Sequence, residues 1–289
     1  MLFRSRPPIP VPLGTRTYRV EVGRGLLAGL RAHVAARLPG AVVLVTDENV
    51  RAPWAERAAE EVRAAGRALT TVVLTPGEEH KRIAAVERIW DAALEARIDR
   101  SGAVLAVGGG VVGDLAGFAA ATLLRGIRFA QCPTSLLAMV DASVGGKTGF
   151  DRDQGKNLVG AFHQPELVLC DVDTLETLPD EEISAGLAEV VKAAWIDGET
   201  AVAALEADGT DFAVSALKAL RRNSPISMAC TLELLGELRR SAAGIREALR
   251  LEYRFTARAM EHGDFLEGIR AQIIDRDRNP QWKHRLEHL

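Results

Sequence analysis

The chain is short of the residues that build the simplest sites. Only three cysteines, Cys132, Cys170 and Cys230, occur in 289 residues. They are too few and too far apart for a disulfide framework or a Cys-x-x-Cys metal knuckle, and they point to a reducing compartment. Neither sign of charge is in excess, since 36 Lys and Arg face 39 Asp and Glu for a formal charge of -3. That balance argues against the basic footprint of a nucleic-acid binder and the polybasic patch of a membrane anchor. No clean apolar run of spanning length is present. The most apolar stretch, Ala103 to Leu124, holds five glycines and Asp114, and a spanning helix would bury that carboxylate in lipid. The amino terminus carries two arginines, but prolines follow where a signal peptide needs an apolar core. The expectation is a soluble, cytoplasmic protein with neither nucleic acid nor membrane as partner.

What is present supports a large core. Hydrophobic residues are 47% and charged residues 26%, which excludes disorder. At about 150 residues per domain the length suggests two domains. Up to about residue 180, short β-branched runs alternate with alanine-rich helical stretches. Strands are expected at Arg19–Val22, Val42–Thr46, Thr71–Leu74, Val104–Val107, Phe129–Cys132 and Leu167–Cys170, with helices such as Trp54–Ala65 and Ile83–Ala96 between them. This order favours crossover units and a parallel sheet covered on both faces. After Pro179 the strand signals stop. Ile245, Leu249, Tyr253, Ala257 and Met260 recur at helical spacing, as do Phe265, Ile269 and Ile273 behind an Asp264 cap. Both stripes read as ordinary helix packing. The polar stretch from Arg278, with Trp282, reads as a frayed or loosely docked tail.

One turn carries chemistry. The strand Val104–Val107 runs into Gly108-Gly-Gly-Val-Val-Gly-Asp114, and a helix-like stretch follows to Leu124. Gly108, Gly110 and Gly113 satisfy G-x-G-x-x-G in a strand-turn-helix context, where free amides at a helix start attract a pyrophosphate. The acid that holds ribose about 20 residues on in a Rossmann fold is missing, because Gln131-Cys-Pro-Thr-Ser occupies its place. The turn therefore either binds a nucleotide or is merely tight. Asp47, after the strand Val42–Thr46, and the turn Thr75-Pro-Gly-Glu-Glu-His-Lys81 also sit at strand ends, where ligands bind in open α/β sheets. Gly146-Lys-Thr148 superficially matches part of a P-loop, but Asp141 stands where that motif requires glycine. Lys147, Lys156 and Arg125 are either surface cations or a trap for a phosphorylated acid.

Seven blocks in order resemble 3-dehydroquinate synthase over about residues 10–195. They are Pro76-Gly-Glu-Glu-His-Lys81, Gly108 to Gly117, Arg125-Gly126, Pro133 to Gly149, Gly155 to Pro165, Asp173 to Pro179 and Gly186-Leu-Ala-Glu-Val-Val-Lys192. The resemblance implies an α/β fold, a Rossmann-like parallel-sheet NAD domain followed by an all-α segment. It also implies catalytic use of NAD: a secondary alcohol of a phosphorylated seven-carbon keto acid is oxidised, phosphate is eliminated, the ketone is reduced back and the ring closes. Carried over by motif, Asp47, Glu78, Lys81, Gly109, Gly110, Val111, Asp114, Thr134, Ser135 and Thr177 would contact NAD. Asp141, Lys147, Lys156, Asn157 and Lys192 would line the substrate side, Arg125 would face the phosphate, and Glu189 would be the carboxylate ligand of a divalent metal, zinc or cobalt. The resemblance further implies a phosphorylated small-molecule substrate and a homodimer.

The pattern then breaks. The family takes two more ligands, both histidines, from blocks resembling N-F-G-H-T-x-G-H and L-H-G-E, and neither block is present. After Lys192 the histidines are His262, His284 and His288, and one carboxylate alone does not build a catalytic zinc site. Residues 203–289 resemble instead the tail of 3-hydroxyisobutyryl-CoA hydrolase. The similarity runs through Asn223-Ser-Pro-Ile-Ser-Met228, Glu247 to Arg254, Asp264 to Ala271 and Ile274 to Trp282. The sequence thus reads as a chimera: an NAD-binding α/β domain over 1–180, a junction over 181–202 and a helical tail over 203–289. The function expected by motif is 3-dehydroquinate synthesis, with turnover weak or absent because the metal cage is open. A sister sugar-phosphate cyclase, a thioesterase driven by the tail and a non-catalytic NAD-binding protein are the rivals.

Overall fold

The computed structural model describes residues 7–284 apart from 198, 242 and 243. The chain divides into two compact units, Met1–Gly186 and Leu187–Leu289.

The first unit is an α/β body. Its strands are β1 (Ile9–Val11), β2 (Tyr18–Gly23), β3 (Val42–Asp47), β4 (Leu69–Leu74), β5 (Ala103–Gly108), β6 (Arg128–Pro133), β7 (Lys147–Arg152), β8 (Gly155–Phe162) and β9 (Leu167–Asp171). Seven of them form one sheet in the order β1-β2-β9-β6-β5-β3-β4. All its pairings are parallel except β1 with β2. The central strands need apolar residues throughout because both faces are covered. On β3, Val43 and Val45 pack with Val86, Ile89, Leu115 and Phe118, while Val42 and Leu44 pack on the other face with Leu30, Val34, Trp54 and Val62. At about 1.5–3 kcal/mol for each large side chain fully withdrawn from water, these two layers dominate the unit's stability.

The covering helices are α1 (Leu30–Arg37), α2 (Glu56–Ala64), α3 (Ile83–Glu95) and α4 (Gly110–Thr122). The chain leaves β3 toward the edge strand β4 but leaves β5 toward β6 on the other side. Neighbouring strands with connections running opposite ways open a crevice at their carboxyl ends.

Three strands lie outside the sequence expectation. β1 is a three-residue edge strand, and β7 pairs antiparallel with β8 as a separate hairpin. That hairpin is hard to read because glycine replaces its alternation. A Cβ on Gly149 would meet Val159 O at 2.6 Å, so Gly149 and Gly160 let the strands cross too closely for side chains. All three cysteines are free thiols, and burial pushes Cys170 up to about 12.

Helix α5 (Asp180–Asp197) carries the chain into the second unit, which continues with α6 (Glu199–Asp208), α7 (Asp211–Arg221), α8 (Pro225–Ser241), α9 (Ile245–Ala259) and α10 (Phe265–Ile269). Its buried cluster is small: Ala216, Leu220 and Met228, with Leu205 against them. The expected packing of the stripes does not occur. Ile245, Leu249, Tyr253 and Met260 are 75%, 57%, 74% and 55% exposed, and Phe265 and Ile273 are exposed as well. Helix α9 turns a different face inward, marked by Leu251. Asp264 stands at the cap position of α10 but its carboxylate serves elsewhere, accepting from Ser224 Oγ at 2.8 Å and Lys283 N at 3.0 Å. The stretch from Arg278 is anchored rather than frayed as far as it is described. Trp282 Nε1 donates to Arg222 O at 3.0 Å and Arg278 N to Ala271 O at 3.0 Å. Among the described residues no helix is long and apolar enough to cross a membrane.

Candidate active site

The site grows from the carboxyl ends of β3, β4, β5 and β6. Beyond β5, Gly109 caps α4 and Gly110 begins it. The glycines of this turn do two different jobs. A Cβ on Gly108 would meet Val112 Cβ at 2.7 Å, and one on Gly113 would meet Gln131 Oε1 at 2.7 Å. Gly117, further along α4, has no room beside Thr148 Cγ2 and Phe129. These three are glycine because helix, sheet and hairpin touch there. Gly109 and Gly110 are different: the nearest atoms to an added Cβ are Ser135 Oγ at 3.5 Å and Ala142 Cβ at 3.4 Å. Their openness, beside amides at a helix start, is what an anionic ligand needs. Gln131, which replaces the expected ribose acid, is buried under Gly113 and donates to Ser143 O at 3.2 Å.

The loop after β4 turns at Gly77, whose φ of 111° suits glycine, and delivers Lys81 into the interior at 4% exposure. An ammonium so buried must be paired. Lys81 Nζ donates to Asp114 Oδ2 at 2.6 Å and to Asn157 Oδ1 at 2.7 Å. Burial pushes the Asp114 carboxyl above its usual range, and the hydrogen bond from Lys81 opposes the shift. Nearby, Lys156 donates to Glu78 Oε1 at 3.1 Å. Asp114, Asp141, Lys147, Thr148, Asn157 and Phe162 line one cleft of about 450 Å³.

Asp47 ends β3. Its Oδ1 accepts from Asn49 N at 2.9 Å and Val50 N at 3.0 Å, which fixes the carboxylate. Burial raises its pKa above the ordinary value, and the two amides oppose that. Among the described residues Oδ2 has no hydrogen-bond partner, so it is available to a hydroxyl. Thr134 N closes onto Gly108 O at 3.0 Å, and Ser135 Oγ accepts from Ala138 N at 3.3 Å. Val111 follows in the first turn of α4.

Not every expected residue joins the cleft. Thr177 Oγ1 is occupied by Trp54 Nε1 at 2.7 Å and does not line it. Arg125 follows the far end of α4, 15 residues after Gly110 and close to the start of β6, so it stands away from the glycine turn. Asp151 was missed by motif; its burial at 6% exposure and its bond to Asn157 N at 2.8 Å emerge only once the hairpin is folded.

The metal ligand set does not assemble. Glu189 and Lys192, in the second unit, pair with each other. His262 is exposed beside Glu261 at 3.6 Å, His284 lies 4.0 Å from Asp264, and His288 is outside the described residues. Among the described residues no three His, Cys, Asp or Glu side chains stand where they could hold a metal ion. The described side chains do not fit the zinc or cobalt of the resemblance.

The family model described as the 3-dehydroquinate synthase N-terminal region matches residues 71–185. A 3-dehydroquinate synthase of Rhizobium rhizogenes is 49% identical over 204 residues, covering 70% of this chain and 54% of that enzyme. One of Brucella ovis is 50% identical over 201 residues, covering 69% and 53%. The N-terminal region matches the 3-dehydroquinate synthases. The chain spans just over half the length of those relatives. A second family model, enoyl-CoA hydratase/isomerase, matches residues 168–288; the similarity of the tail is to that broader family.

Among solved structures, 2-deoxy-scyllo-inosose synthase complexed with carbaglucose-6-phosphate, NAD+ and Co2+ aligns at a TM-score of 0.60 and 27% identity. It covers 64% of this chain and 51% of that one. The 2-epi-5-epi-valiolone synthase of Streptomyces hygroscopicus, with NAD+ and Zn2+ bound, aligns at 0.60 and 26%, covering 89% and 65%.

Proposed function

We propose that the first unit binds NAD and a phosphorylated seven-carbon keto acid in the manner of 3-dehydroquinate synthase, and that the chain does not complete the cyclisation. The observation that carries this reading is the Lys81–Asp114–Asn157 network, set at the glycine turn and opening on a cleft that also holds Lys147. Identity of 49–50% to dehydroquinate synthases, against 26–27% to the two sister cyclases, favours the keto acid over a sugar phosphate that lacks a carboxylate.

NAD, when bound, supplies hydride acceptance and return. The residues of this chain do the holding. The open amides at Gly109, Gly110 and Val111 face a pyrophosphate at the start of α4, and Asp47 accepts a ribose hydroxyl through its unpartnered oxygen. Thr134 and Ser135 complete the cofactor side together with Glu78, Lys81 and Asp114. Lys147, Lys156 and Asn157 hold the phosphate and carboxylate of the substrate by charge-assisted hydrogen bonds. Asp141, which lines the same cleft, also belongs to this set. No step passes through a metal, because Glu189 is engaged by Lys192 and no other ligands converge on it among the described residues.

The remaining organisation follows the same reading. The chain is a chimera of an NAD domain (1–180), a junction (181–202) and a tail (203–289) derived from a 3-hydroxyisobutyryl-CoA hydrolase, working in the cytoplasm as a homodimer. The tail brings no thioester chemistry of its own. Calorimetric titration with NAD, beside an assay of phosphate release from the phosphorylated keto acid, tests both halves of the proposal. Saturable NAD binding without phosphate release is expected. Phosphate release at an enzymatic rate would overturn the inactivity, and the lack of any NAD isotherm would overturn the binding.

A further inference from the structure

The loop after β4 and the tip of the β7–β8 hairpin are joined by a closed ring of three hydrogen bonds. Asp151 N donates to Lys81 O at 2.7 Å. Asp151 Oδ1 accepts from Asn157 N at 2.8 Å, and Asn157 Oδ1 accepts from Lys81 Nζ at 2.7 Å. Asp151 falls where the register of β7 against β8 shifts, between Phe150 and Arg152. Such an irregularity re-aims side chains out of the ladder, and this one sends a carboxylate toward the turn. Asn157 has φ of 55°, a left-handed conformation that asparagine tolerates better than most residues. It therefore meets two demands together: a left-handed backbone, and a side-chain carbonyl for the buried ammonium.

We infer that Asp151 is a positioning residue of the cleft. Its carboxylate holds the Asn157 amide, and that hold sets the Asn157 side chain against Lys81 and the adjacent Lys156 against Glu78. Asp151 does not line the cleft and touches no ligand in this scheme; it acts through Asn157. The inference rests on the proposed reading of the cleft as an anion site. The ring itself can be tested without that reading.

The full chain is compared with Asp151→Ala, Asp151→Asn and Asn157→Gly, using inorganic phosphate as the binding probe and amide hydrogen exchange over residues 153–160 as the second readout. Asp151→Ala is expected to accelerate exchange at Asn157 and its neighbours about tenfold, the scale of one lost hydrogen bond to a charged acceptor, and to weaken phosphate by a similar factor. Asp151→Asn keeps an acceptor oxygen and restores both. Asn157→Gly keeps the left-handed backbone, removes the carbonyl, and weakens phosphate while the fold persists; it carries the test if Asp151→Ala does not fold. Wild-type phosphate affinity in Asp151→Ala, or acceleration spread evenly over the whole first unit, would overturn the inference. If the parent chain binds no phosphate, the anion site fails. Local acceleration in Asp151→Ala reversed in Asp151→Asn still supports the ring, and its absence refutes it.

Discussion

The two units spend their apolar residues differently. In the first, the pattern in the sequence finds its counterpart within the same unit. Val42 to Val45 and Ala103 to Val107 are almost fully withdrawn from water, flanked by helices on both faces. In the second, Ile245, Leu249, Tyr253 and Met260 make an equally regular stripe, yet all four are more than half exposed. Periodicity specifies which face a helix offers; only a partner surface decides whether it is buried. The first unit also organises its polar groups around a buried cation, Lys81, whereas many of the second unit's ion pairs join residues three to seven apart in sequence, such as Arg250 with Glu247 and Arg270 with Glu267, Asp275 and Asp277.

The strongest blow to this contrast is Lys81→Ala. It leaves Asp114 and Asn157 without their shared donor, and is expected to cost about 3 kcal/mol of stability by chemical denaturation, in line with breaking a buried pair. Gly117→Ala comes next. Its methyl group would be driven into Thr148 and Phe129 at the seam of α4 and the hairpin, with an expected loss of about 1–3 kcal/mol in the same assay.

Asp47 gives a pH-dependent effect of the opposite kind. Burial raises its folded pKa above the unfolded value, so its favourable contribution is full below the ordinary carboxylate range near about 3.9. That contribution is lost as pH rises through the folded value. Asp47→Asn keeps a competent cap and is expected to gain on the parent chain as pH climbs from acid toward neutral. Denaturation curves at a series of pH values check this. The smallest effect belongs to the stripe of α9. Leu249→Ser and Tyr253→Ser are each expected to change stability by less than about 0.5 kcal/mol, as exposed positions do.

How much was legible follows from where each feature's partner lies. The strand-helix alternation and the glycine turn are local, and their outlines match the sequence reading within a residue or two: Val104–Val107 became Ala103–Gly108. Splitting that turn into packing glycines and open glycines was not legible. It depends on Gln131, Phe129 and Thr148, which approach only in the folded sheet and hairpin. The hairpin escaped notice because Gly149, Gly155 and Gly160 erase the period-two pattern, and Asp151 escaped with it. Of the two readings open for the stretch from Arg278, frayed or loosely docked, the folded unit shows docking. The polar composition resembles a loose end, but Trp282 and Arg278 spend their donors on the carbonyls of Arg222 and Ala271.

The distinction between the two kinds of glycine is also the most direct handle on the binding claim. Gly110→Ala puts a methyl group in van der Waals contact with Ala142 Cβ at 3.4 Å, which the fold tolerates, where the cofactor's pyrophosphate is proposed to lie. NAD isotherms of the parent chain and this variant, with thermal midpoints measured alongside, are the decisive comparison. Saturable binding by the parent, weakened about tenfold or more in Gly110→Ala at an unchanged midpoint, is the predicted result. Equal affinity in the two chains, or no saturation by the parent, would contradict it.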